Sequence, residues 1–169
     1  MTQLPPFKSR LCRENPTAWG SWLMAATPTT AEALGHAGFD FLVVDLEHVP
    51  VETPQAIEIL RALAATGAEP VVRLAANDKV LIKKALDIGA RSLMLPFVQS
   101  AEEARAAVSA SFYPPRGERG VAAMHRASHY GAKPGSFADA DQSLTLIAQI
   151  ETAQAAARID EIAAVEGID

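Results

Sequence analysis

Three times in the first hundred residues an apolar helical pattern ends in glycine, and two or three positions later a short β-type run begins. Gly38 precedes Phe41-Leu42-Val43-Val44, Gly67 precedes Pro70-Val71-Val72, and Gly89 precedes Ser92-Leu93-Met94-Leu95. Glycine suits a left-handed helix stop, and near-continuous apolar strands suit a parallel sheet buried on both faces. Helix starts fall between the strands. Thr53-Pro54 offers a capping hydroxyl before a proline, with Ile57, Leu60, Leu63 and Ala64 along one face. Ser100 and Glu103 have capping-box spacing, Asp78 can cap a helix through Leu86, and Thr152 one through Val165.

Alternating strands and helices make an α/β fold. Trp19-Gly20-Ser21-Trp22 lacks the glycine spacing of a nucleotide-binding doubly wound sheet, so a (β/α)8 TIM barrel is favoured. From Ser111 to Ser143 the pattern lapses into prolines and glycines, a length that in a compact domain hides helical turns or a short strand. It resumes at Leu144–Ile150, and Gly167-Ile168-Asp169 repeats the glycine-then-strand signal. The chain therefore reads as a single barrel domain, residues 1–169, cut after about five or six of the eight units that a full barrel has.

A chain that is 49% hydrophobic and 21% charged has globular composition. Its net charge of −5 excludes the clustered basic surface that nucleic acid requires. The single cysteine, Cys12, forms no intrachain disulfide and has no nearby histidine to activate it. No signal-peptide core or membrane-length apolar run is present, so the expectation is a cytoplasmic protein without a membrane partner.

In a barrel the chemistry sits where strands end. The strand-end inventory is Trp22, then Asp45 with Glu47 and His48, then Arg73, then Pro96, then Gln149 and Glu151. A carboxylate and an imidazole three residues apart, Asp45 and His48, can meet around a tight turn as an acid–base pair; equally, Asp45 could cap the loop. Arg73 can grip a carboxylate or an enolate oxygen, or form a structural ion pair. Glu151 is a candidate ligand for a hard divalent cation, or a cap for the next helix. His36 reads as a structural or solvent-facing helix residue, and His125, His129, Arg116, Arg119 and Arg126 as solvated loop charges or, alternatively, as an anion-binding or subunit-contact loop. Met24, Met94 and Met124 read as packing residues.

Five segments in order carry a further signal: Phe39–His48, Pro70–Arg73, Leu95–Val98, Tyr113–Gly120 and Gln149–Thr152. Together they resemble the HpcH/HpaI aldolase family. The resemblance implies a metal-dependent (class II) pyruvate aldolase that reversibly cleaves a 4-hydroxy-2-oxo acid to pyruvate, or a related 2-oxo acid, and an aldehyde. It implies Glu151 as a ligand of Mg, Mn or Co, with Gln149 in the same pocket and a second carboxylate from a Gly-Pro-x-Asp-Leu-Ser motif beyond Asp169. It further implies His48 as the base, Asp45 as the group orienting the site, Arg73 on the pyruvyl oxygen, and Trp22 as a wall. Asp87 would pair with the histidine across a subunit contact in a homo-oligomer, a hexamer in the family. No Schiff-base lysine is expected, since Lys79, Lys83 and Lys84 fall on a predicted helix. The alternatives are a citramalyl- or malyl-CoA-type thioester lyase and a non-catalytic barrel fragment.

Overall fold

The computed structural model describes residues 7–11, 17–132, 137 and 140–169, so Cys12 lies outside the described residues. The elements run α1 (Phe7–Leu11), β1 (Gly20–Trp22), α2 (Pro28–His36), β2 (Phe41–Asp45), α3 (Thr53–Leu63), β3 (Glu69–Arg73) and α4 (Lys79–Asp87). They continue with β4 (Ser92–Leu95), α5 (Ala101–Ser111), β5 (Thr145–Ala148), α6 (Ala153–Ala156) and α7 (Ile159–Ala163). The strands form one sheet in the order β1-β2-β3-β4-β5, every neighbouring pair parallel. This is a five-stranded portion of a (β/α) barrel. The backbone N–H of Asp169 donates to the Leu146 carbonyl at 2.9 Å, alongside β5 where a further strand would pair.

Because side chains alternate across a strand, the sheet divides the apolar residues into two cores. Leu42, Val44, Val72, Leu93, Leu95 and Leu146 pack against the helices. Val43 and Val71, with Phe41, Met94 and Ile147 beside them, line the barrel interior around Phe7 of α1. The Phe7 and Phe41 rings stand 5.4 Å apart, so α1 plugs the interior at the end where the strands begin. A Cβ at Gly20 would collide with the Phe41 ring, which explains glycine at the start of β1.

Several sequence expectations change in detail. Gly38 and Gly89 adopt the left-handed stop, but Gly67 does not. There the Thr66 hydroxyl donates to the Leu63 carbonyl at 2.9 Å and accepts from the Ala68 N–H at 3.3 Å, ending α3 without a left-handed residue. The cap of α3 is Glu52, not Thr53, with Gln55 reaching back to the Glu52 N–H at 3.1 Å. Its buried face is Ala56, Ile59, Leu60 and Leu63, leaving Ile57 half-buried and Ala64 exposed. Ser100 caps α5 as expected, but the Glu103 carboxylate accepts from Gln99 rather than from Ser100.

The helix expected from Thr152 to Val165 is broken into α6 and α7, although Thr152 does cap its start. Within the irregular stretch the described residues hold two short 3-10 turns, Arg126–Gly131 and Asp141–Ser143, and no strand. Met24 and Met124 are exposed rather than packed, because each falls in a loop that no helix covers. Among the described residues no helix is long and apolar enough to cross a membrane.

Candidate active site at the strand ends

The parallel register sets Asp45 of β2 opposite Arg73 of β3, and both side chains are buried. Arg73 Nε donates to Asp45 Oδ1 at 2.9 Å and Nη2 to Oδ2 at 2.6 Å, the fork geometry that makes arginine–carboxylate pairs strong. Nη1 lies 3.2 Å from Glu47 Oε2, an ion pair that lacks hydrogen-bond alignment, so this buried oxygen has no hydrogen-bond partner. The guanidinium stacks 4.3 Å from the Trp22 ring centroid. Arginine at this position is thus fixed on three sides.

Asp45 does not meet the imidazole of His48. Its Oδ1 accepts from the backbone N–H groups of Glu47 at 2.9 Å and His48 at 3.3 Å, so it shapes the loop after β2 while holding Arg73. Burial pushes the Asp45 carboxyl up, but these hydrogen bonds and the Arg73 charge outweigh it and hold the group below its ordinary value. The same partnership raises Arg73, with Glu47 and Glu151 adding to the effect. The His48 ring is 70% exposed, its Nε2 3.8 Å from Glu47 Oε1. A short carboxylate side chain that is spent on two loop amides and a guanidinium has no geometry left for the ring.

The loops after β4 and β5 are laced together. Gln149 N–H donates to the Leu95 carbonyl at 2.9 Å and Val98 N–H to the Gln149 carbonyl at 3.3 Å. Phe97 N–H donates to Glu151 Oε2 at 2.8 Å, and the Thr152 hydroxyl to Gln99 Oε1 at 2.6 Å. Gln149 Oε1 is buried with no partner. Trp22, Asp45, Glu47 and Arg73 thus form one cluster, with the Glu151 charge acting on Arg73 across the strand ends.

Asp87, the last residue of α4, is not joined to this cluster. Arg119 Nη2 donates to its Oδ1 at 2.8 Å, and His125 Nε2 lies 3.7 Å from the same oxygen. Nor are the charges of the irregular stretch all solvated, as the sequence suggested. Arg119 is buried against Tyr113, and Arg126 donates to the Ile88 carbonyl at 2.8 Å, tying the segment to α4, while Arg116 stacks on Phe112 and stays exposed as expected. His129 and His36 are exposed. The spacing of Tyr113 and Arg119 held no periodic signal of this packing.

The family model described as HpcH/HpaI aldolase/citrate lyase matches residues 19–169. The chain is similar to 2-dehydro-3,6-dideoxy-6-sulfogluconate aldolase of Pseudomonas putida, 59% identical over 150 residues covering 89% of this chain and 59% of that protein. It is also similar to 5-keto-4-deoxy-D-glucarate aldolase of Salmonella arizonae, 45% identical over the same shares of each chain. The chain thus spans 59% of the length of these curated relatives. Among solved structures, an HpcH/Hpal aldolase/citrate lyase family protein from Burkholderia cenocepacia J2315 superposes with a TM-score of 0.91 at 38% identity, over 96% of this chain and 65% of that one. The citrate synthase SbnG gives a TM-score of 0.81 at 31% identity, over 96% and 62%.

Proposed function

The chain belongs to the HpcH/HpaI aldolase/citrate lyase family, and on that premise we propose that it serves a divalent-metal-dependent aldolase. The reaction is reversible cleavage of a 4-hydroxy-2-oxo acid into pyruvate, or a related 2-oxo acid, and an aldehyde. Two relatives are named for keto-deoxy sugar acids, so the substrate class proposed is a 2-keto-3-deoxy sugar acid. The observation that carries this reading is the immobilised Arg73. Its bonds to Asp45 leave N–H groups over, in a site where the Glu151 carboxylate and the unpartnered Gln149 Oε1 supply oxygen donors.

The donor chemistry fits magnesium or manganese, which take oxygen ligands. Among the described residues no group of three or more His, Cys, Asp or Glu side chains converges, so Glu151 is the one acidic ligand proposed from this chain, with Gln149 beside it. A bound divalent cation would supply Lewis-acid polarisation of the 2-oxo group. In the proposed cycle Arg73 holds the substrate's oxo-acid end against the Trp22 wall. His48 takes the proton of the 4-hydroxyl, the C3–C4 bond breaks, and its electron pair moves onto the 2-oxo oxygen beside Arg73. His48 then returns the proton to C3.

Exposure of His48 suits a base that must reach substrate. Exchange of pyruvate methyl protons with deuterated water tests the scheme without knowledge of the aldehyde. Exchange should require a divalent cation and His48; cation-independent exchange, or a His48→Ala variant exchanging at the wild-type rate, sinks it.

Asp87 lies outside its own chain's strand-end cluster, and we assign it to a contact with a neighbouring copy in a homo-oligomer. An active monomer by light scattering would overturn that assignment.

A further inference from the structure

Phe97 sits just beyond β4 with φ +55°, one of three non-glycine residues in the left-handed region among the described residues. For a bulky side chain this conformation is an outlier that persists only where surrounding contacts over-determine it. The ring does not impose it, since it is 56% exposed. What the conformation does is aim the Phe97 N–H at Glu151 Oε2, 2.8 Å away, while Val98, fully buried, anchors the loop from the next position and donates to the Gln149 carbonyl. Pro96 on the other side is buried as well. The chain is therefore pinned before and after Phe97, and the residue between is turned so that its amide faces the carboxylate.

We propose that Phe97 is a positioning residue: its left-handed backbone presents an N–H that fixes the Glu151 carboxylate in the orientation needed to bind a divalent cation through its other oxygen. The inference rests on the assignment of Glu151 as a metal ligand. A carboxylate after a strand end has rotamers to choose from, and Glu151 is exposed. A charge-assisted hydrogen bond from a fixed backbone donor removes that freedom. Partners of this kind around metal ligands contribute about ten- to a hundredfold in metal affinity. A purely structural turn, needed only to seat Val98, would give Phe97 no influence on the metal.

The test replaces the Phe97 residue by phenyllactic acid through nonsense suppression, which exchanges the N–H for an ester oxygen and keeps the ring. Mn2+ affinity is read by electron paramagnetic resonance, and folding by thermal denaturation. The ester variant should bind Mn2+ about ten- to a hundredfold more weakly, whereas Phe97→Gly, which keeps the N–H and tolerates positive φ, should retain wild-type affinity. Wild-type affinity in the ester variant overturns the proposal. In the metal-free protein with 15N-phenylalanine, Glu151→Gln should shift the Phe97 amide resonance, and an unmoved resonance also overturns it. Mn2+ binding that is indifferent to Glu151→Ala would instead remove the metal assignment itself, a result separable from the amide shift.

Discussion

The two ends of β3 carry charged residues of opposite fate. At its start, Glu69 is buried, accepts from the Ser92 hydroxyl at 2.7 Å, and has the guanidinium groups of Arg10 at 3.8 Å and Arg91 at 3.9 Å. At its end, Arg73 is buried between Asp45, Glu47 and Trp22. Both ends place an arginine and a carboxylate on neighbouring segments. The difference is what covers them. The start is closed by α1, with Phe7 inside and Lys8 paired to Asp169 at 3.3 Å. The other end is flanked by exposed His48 and Phe97 and leaves Glu47 Oε2 and Gln149 Oε1 without hydrogen-bond partners. Buried polar atoms are normally satisfied. Among the described residues the plugged end leaves a buried donor, Arg10 Nε, without a partner, whereas the open end leaves the two acceptors spare, which supports the proposal that a ligand binds there.

The largest expected effect separates the ends by chemistry. His48→Ala should slow pyruvate methyl exchange about a hundred- to ten-thousandfold, with no change in melting temperature, because its ring packs on nothing that the core needs. A large loss of stability would place His48 with the structural charges instead.

Arg73→Ala should do both kinds of harm. It leaves the Asp45 carboxylate buried without its cation, a loss of about 3–5 kcal/mol by denaturant titration. It should also weaken pyruvate binding and turnover together, since the contact serves ground state and transition state alike. An Arg73→Ala protein with normal pyruvate affinity would reduce Arg73 to a structural ion pair.

Glu69→Ala should act at the plugged end alone. Loss of the acceptor for Ser92 and of the charge facing Arg10 should cost about 1–3 kcal/mol, with exchange per folded molecule unchanged. Slower exchange in that variant would show that the interior transmits strain between the ends.

The smallest effect is a pH dependence. The Asp45 carboxyl is held below its unfolded value, so its contribution to stability is complete above about pH 4 and is lost as pH falls through the lower folded value. Asp45→Asn should flatten the acid limb of the stability curve relative to wild type. An unchanged acid limb would mean that Asp45 gains nothing from Arg73 beyond what burial removes.

The strands were legible because a parallel sheet buried on both faces demands apolar runs, and Phe41–Val44 and Ser92–Leu95 supply them. Counting to the next polar residue placed Asp45 and Arg73 at the ends of β2 and β3, whereas β5 closes at Ala148 and leaves Glu151 three residues beyond its end. Expectations failed where side chains substitute for one another locally. Glu52 took the cap from Thr53, and Thr66 did the work assigned to Gly67, because both alternatives lie within a residue or two and sequence does not rank them. Arg119 and Arg126 were misread because their partners, Asp87 and the Ile88 carbonyl, are about thirty or more residues distant in the chain.

Sequence by itself determined the periodicities, the glycine stops at Gly38 and Gly89, and which residue types stand at each strand end, since these depend on neighbours within a few positions. Tertiary structure alone decided which of those residues touch. Register between β2 and β3 married Asp45 to Arg73 and left His48 out, and the packing of the β4 loop on the β5 loop turned Phe97 toward Glu151. Such pairings join residues 28 and 54 positions apart, and a contact at that separation exists only after the sheet has fixed both strands in space.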